Sequence, residues 1–114
     1  SGVKNEKDSI VMNLHMQDTQ FDLFVFKGNE LLIYNTYPYK NEDSFLYFLL
    51  AVAEDLSLSH EDFEIIFFGK YSRYKEYYLA LEGYHNKISF ADQGGFVMFD
   101  EREHPAPYFL NLFE

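Results

Sequence analysis

The chain has 114 residues, nine Lys and Arg against nineteen Asp and Glu, a net charge of −10, and no Cys. That length suits one domain with a core that needs no staples, and zero Cys excludes a disulfide scaffold, a thiolate zinc site and a cysteine nucleophile. The charge argues against nucleic acid as a partner, because non-specific affinity comes from Lys and Arg neutralising phosphates. No apolar run reaches the roughly 18 residues that would cross a membrane. No basic segment leads into an apolar one, so no signal peptide is visible and a cytoplasmic location is expected.

Ser1-Gly2 reads as a cloning remnant and Val3 to Asp8 as a frayed polar lead, leaving residues 9–114 as a single folded unit. From Ile10 to Gln17 the chain alternates: Ile10, Met12, Leu14 and Met16 take one face, Val11, Asn13 and His15 the other. After a turn at Asp18-Thr19-Gln20, Phe21 to Lys27 alternates again, with Phe21, Leu23 and Val25 opposite Asp22, Phe24 and Phe26. Gly28-Asn29 signals a two-residue hairpin, since both residues tolerate positive φ. Glu30 to Tyr39 is a third strand, whose Pro38 belongs at a sheet edge.

The period then changes to that of a helix. Asn41 suits an N-cap, Glu42 and Asp43 suit the positive end of the helix dipole, and Phe45, Phe48, Leu49, Val52 and Leu56 recur at helical spacing. Leu46, Leu50 and Ala53 widen the apolar face, so burial on more than one side is expected. Phe63 to Phe68 reads as a central strand covered on both faces, ended by Gly69. Ser72 is placed to cap a second helix carrying Tyr74, Tyr77, Tyr78 and Leu81 on one face, with Gly83 as its stop. Lys87 to Ala91 is a fifth strand and Phe96 to Phe99 a last extended piece. Glu101 to Pro107 reads as a charged loop, and Tyr108 to Phe113 as an apolar tail docked on the body.

The resulting order, β-β-β-α-β-α-β, has few solutions. Right-handed crossovers put both helices on one face of a mixed five-stranded sheet with strand order 3-2-1-4-5. That is an α/β topology of the ribonuclease-H-like and actin-like kind.

The chemistry such folds carry is thin here. A two-metal nuclease needs acids on the first and fourth strands. The first offers only Asn13 and His15, the fourth only Glu64 beside Asp62, and Glu54 and Asp55 fall late on the helix. An actin-like phosphate loop needs an Asp followed by Gly, so that backbone N–H groups can close on the phosphate. Asp18 and Thr19 occupy that turn and are the cofactor-binding candidates, but Gln20 and Phe21 follow them in place of Gly. His15, His60, His85 and His104 fall at no metal-ligand spacing, and Gly94-Gly95 reads as a hairpin turn. No catalytic residue and no metal ligand is assigned. The tyrosines of the second helix favour core packing with hydroxyls at the rim, and next a protein interface.

Several segments carry a more specific pattern. Phe21-Asp22-Leu23-Phe24-Val25-Phe26-Lys27-Gly28-Asn29-Glu30-Leu31-Leu32 leads to Tyr34-Asn35-Thr36-Tyr37-Pro38-Tyr39-Lys40 and Asn41-Glu42-Asp43-Ser44-Phe45-Leu46-Tyr47-Phe48-Leu49-Leu50. The chain ends on His104-Pro105-Ala106-Pro107-Tyr108-Phe109-Leu110-Asn111-Leu112-Phe113. Together they resemble the C-terminal half of the domain of unknown function 3822 family of Bacteroidetes-type bacteria, which is placed with the actin-like ATPase folds. The resemblance implies a preceding lobe of similar topology with a cleft between the two, and it transfers no catalytic residue.

A non-catalytic lobe acting in protein interaction is therefore expected, its partner a missing N-terminal lobe or a second copy. The candidate contact residues are His15, Phe24, Phe26, Tyr71, Tyr74, Tyr78, Tyr108 and Phe109. The alternative is one lobe of an actin-like ATPase or kinase, with ATP and magnesium as cofactors and the phosphate loop in the other half.

Overall fold

The structure is a computed structural model that describes residues 8–92, 97–100 and 104–109. Strands β1 (Ile10–Met16), β2 (Gln20–Lys27) and β3 (Glu30–Pro38) form an antiparallel meander. Helix α1 (Glu42–Asp55), β4 (Phe63–Gly69), α2 (Tyr71–Glu82) and β5 (Ile88–Asp92) follow. Both β4 and β5 join the sheet in parallel, β4 on β1 and β5 on β4. The strand order over these five is β3-β2-β1-β4-β5, as the element order dictates. This is the mixed α/β sheet expected from sequence.

Two further strands extend it. β6 (Val97–Asp100) pairs antiparallel with β5, and β7 (His104–Phe109) pairs antiparallel with β6. The expected loop at Glu101 to Pro107 is thus a strand from His104 onward. Pro105 and Pro107 are tolerated because β7 is an edge strand, where a missing N–H can face away from the ladder. Tyr108 and Phe109, the start of the expected docked tail, lie in β7; Leu110 to Phe113, Gly94 and Gly95 fall outside the described residues.

Alternation decides which side is core. Met12 and Leu14 of β1, Phe21, Leu23 and Val25 of β2, and Phe67 and Phe90 of β4 and β5 are all fully buried under the helices. Each such large side chain contributes about 1.5–3 kcal/mol relative to staying exposed. The rings interlock, with Phe45 of α1 meeting Phe21 at 5.1 Å and Phe67 at 5.9 Å. On α2, Tyr78 meets Phe67 at 5.5 Å and Phe90 at 5.8 Å.

Helix α1 starts as its sequence dictates. The Ser44 N–H donates to Asn41 Oδ1 at 2.9 Å, and the Asn41 N–H donates back to Ser44 Oγ at 3.3 Å, a reciprocal cap. At its other end Ser57 adopts φ 56°, which lets the Leu58 N–H reach the Ala53 carbonyl at 2.8 Å.

Three local expectations are corrected. Helix α1 buries one broad face: Phe45, Leu46, Leu49 and Val52 are buried, while Leu50 is 49% and Tyr47 67% exposed. β4 is fully buried on one side only, with Ile66 and Phe68 half-buried and Glu64 exposed on the other. Helix α2 is entered from Lys70 with no side-chain cap, and Ser72 sits exposed in its first turn. At the Gly28-Asn29 hairpin the positive φ falls on Gly28 alone, at 58°.

Candidate functional site

Two regions gather the residues that sequence singled out. The first is the carboxyl end of the parallel strands, where open α/β sheets hold ligands. There the turn after β1 places Asp18 against the start of α2. Arg73 donates to Asp18 Oδ2 at 2.7 Å and the Tyr74 hydroxyl to Oδ1 at 3.1 Å. The Tyr39 hydroxyl donates to the Gln17 carbonyl, and the Tyr39 N–H donates to the Thr19 carbonyl at 3.1 Å.

Burial, then the neighbouring hydroxyls of Tyr77 and Tyr74 and the Asp18 charge, push the Tyr39 phenol well above its ordinary range. Burial and the hydrogen bond to Asp18 also raise Tyr74, and burial with Glu42 and Glu76 raises Tyr77. All three therefore stay protonated donors at neutral pH. Gly69 closes this end at φ 149°; a Cβ there would lie 3.0 Å from Tyr74 Cδ2 and 3.6 Å from Met16 Cβ. It is a packing glycine that lets the Tyr74 ring lie on the strand end. Both Asp18 carboxylate oxygens are engaged within the chain, and no residue of the Asp18-Thr19 turn has the positive φ of a phosphate-cradling loop.

The second region is the sheet face opposite the helices. The registers put Tyr34 beside Phe24, Asp22 beside His15, and His15 beside Phe68 on that face. The rings form a continuous row across four strands. Tyr34 stacks on Phe24 at 4.6 Å, Phe24 meets His15 edge-on at 5.3 Å, and His15 stacks on Phe68 at 4.6 Å. Phe26 continues the face on β2, paired with Leu31 of the edge strand across a bulge. His15, Phe24, Phe26 and Phe68 are half-buried, while Tyr34 and Leu31 are 55% and 49% exposed. Desolvation lowers the His15 pKa from 6.5, outweighing the opposing pull of Asp22, so the ring is neutral at pH 7.

The remaining candidates separate. Tyr78 is fully buried and Tyr74 8% exposed, so both serve the core, whereas Tyr71 is half-buried with its ring edge on Phe90 at 5.2 Å. Tyr108 pairs with Met98 in β7, at the far end of the sheet from Tyr34. His85 is a core residue, 4% exposed, with Nε2 2.8 Å from the Phe63 carbonyl and its ring 4.4 Å from that of Phe63. Between the C-terminal halves of the helices lies an apolar cleft of about 440 Å³, walled by Leu49, Ala53 and Leu81 and floored by Ile65. Among the described residues no group of three His, Asp or Glu is close enough to hold a metal ion, and no helix is long and apolar enough to cross a membrane.

Sequence reasoning placed His15, Phe24 and Phe26 on one face but missed Phe68 and Tyr34. Their alternation parity was available; the stagger that puts Phe68 beside His15 was not. The Asp18–Arg73 contact spans 55 positions and leaves no local signal.

Residues 3–88 match the family described as "Protein of unknown function (DUF3822)", and the chain belongs to that family. Among solved structures it is similar to a Bacteroides thetaiotaomicron protein described as having an actin-like ATPase fold and unknown function. The identity is 22% and the TM-score 0.63, covering 73% of this chain and 32% of that one. At that identity the likeness shows the fold alone, and the chain spans well under half of that protein's length. A foamy viral protease-reverse transcriptase in complex with dsDNA gives 12% identity and a TM-score of 0.41 over 76% of this chain and 24% of that one. That likeness is too low to carry an argument. No curated protein matches the chain.

Proposed function

We propose that this member of the family is a non-catalytic actin-like lobe that acts in protein interaction through the sheet face opposite its helices. The row Tyr34–Phe24–His15–Phe68 carries this reading. Monomeric proteins rarely leave a contiguous apolar face of this kind to water. Aromatic side chains supply large contact area at low entropic cost, which suits them to interfaces. The Asp18-Thr19 turn favours the same reading over nucleotide binding, because Gln20 and Phe21 stand where a phosphate loop needs Gly and no residue of the turn has positive φ.

Hydroxyl-radical footprinting tests the proposal. His15, Phe24 and Phe68 are compared in the isolated chain and in a full-length family member, with sedimentation velocity on the isolated chain. Protection in the full-length protein alone marks a second lobe as the cover. Protection in the isolated chain at dimer mass marks a second copy. Equal reactivity in both, with a monomeric chain, overturns the reading.

A further inference from the structure

The charge on the open face is one-sided, and this decides what kind of surface fits it. The seven strands contain no Arg, and their one Lys is Lys27 at the end of β2. Lys27 pairs with Ile10, so it belongs to the helix side. Lys87, just before β5, directs its ammonium to the Glu61 carbonyl at 2.9 Å. Among the described side chains, the open face instead carries two carboxylates, Asp22 beside the aromatic row and Glu64 four residues before Phe68 on β4. Asp22 lies directly across from His15, and Glu64, exposed in mid-sheet, directly across from Val11.

We infer that the occupant of this face is a basic polypeptide segment that lays arginine side chains over the Tyr34–Phe24–His15–Phe68 row, with Asp22 and Glu64 as their counter-charges. This deepens the interaction reading and rests on it. A planar guanidinium stacks on aromatic faces and leaves its N–H groups free for carboxylates at the ring edges. Asp22 is preset for this role. Thr36 Oγ1 donates to its Oδ1 at 2.6 Å and Gln17 Nε2 to its Oδ2 at 3.1 Å, which fixes the carboxylate and leaves each oxygen a further acceptor site. A second copy is disfavoured by the same arithmetic: two chains of −10 would oppose like-charged faces.

Calorimetric titration with three capped pentapeptides tests the inference on the intact chain. The peptides are Arg-Leu-Arg-Leu-Arg and its Gln and Glu counterparts. Binding of the Arg peptide alone is expected, weakening as salt rises. Glu64→Lys should weaken it roughly tenfold or more by replacing an attraction with a repulsion. Tyr34→Ser should weaken it with only a small loss of thermal stability, since that side chain is 55% exposed and stacks on Phe24 alone among the ring contacts. Equal binding of the Gln peptide overturns the cationic inference and leaves the docking reading intact. Binding of no peptide, or an Arg affinity that Glu64→Lys leaves unchanged, overturns the inference, while the docking reading is decided separately by footprinting.

Discussion

His15 of β1 lies flat on Phe68 of β4, ring centroids 4.6 Å apart and planes 17° from parallel, with Asp22 facing it from β2. The stack holds the imidazole between strands and strips part of its water, which lowers its pKa from 6.5 despite the Asp22 charge. The unfolded chain therefore takes up a proton at this residue before the folded chain does. Stability is at its full value above pH 6.5 and falls as the pH drops from there toward the lowered folded value. Thermal unfolding followed from pH 8 to pH 5 should show this decline, and His15→Phe should flatten the first part of it. An unchanged profile in the variant would remove His15 as the cause.

Gly69 joins β4 to α2 at φ 149°, and a Cβ there would stand 3.0 Å from Tyr74 Cδ2. Gly69→Ala should destabilise by about 1–3 kcal/mol, combining a backbone region closed to L-residues with a contact on Tyr74. Urea unfolding measures this. Tyr74→Ala in the same background should recover little, because the conformational part of the cost remains.

Asn41 caps α1 through a reciprocal bond with Ser44. Asn41→Ala should cost about 1 kcal/mol, and Asn41→Asp or Asn41→Ser should retain most of the stability. The comparison by denaturant midpoint separates capping from any general effect of changing the residue.

Asp18 and Arg73 form the one ion pair found among the described residues, with side chains 60% and 59% exposed. At that exposure the pair is worth about 0–1 kcal/mol in water. A double-mutant cycle with Asp18→Asn and Arg73→Gln should therefore give a small coupling that fades with salt. A coupling of several kcal/mol would show the pair to be a structural clamp for the turn.

The order of the first seven elements was legible in the residues because their local rules agreed. Period-two alternation marked β1 and β2, Gly28 marked the hairpin, and Asn41 with Phe45, Leu49 and Val52 marked the start and face of α1. The crossover rule then fixed the strand order. Burial on the second side was misread at FEIIFF, because a continuous apolar run has the same composition whether its second face is covered or only half-shielded by neighbouring strands. β7 was misread because Pro and charge signal a loop locally, while an edge position in a sheet removes the penalty.

By itself, then, the sequence determined the fold class and which side chains face the helices, since both follow from periodicities along the chain. Tertiary structure alone decided what the other face became. Register places Phe68 against His15, brings Tyr34 onto Phe24, and sets Asp22 across from His15 and Glu64 across from Val11. Such contacts join residues on different strands, His15 and Phe68 being 53 positions apart. They arise from how strands slide and align against one another, a property that no stretch of a single strand contains.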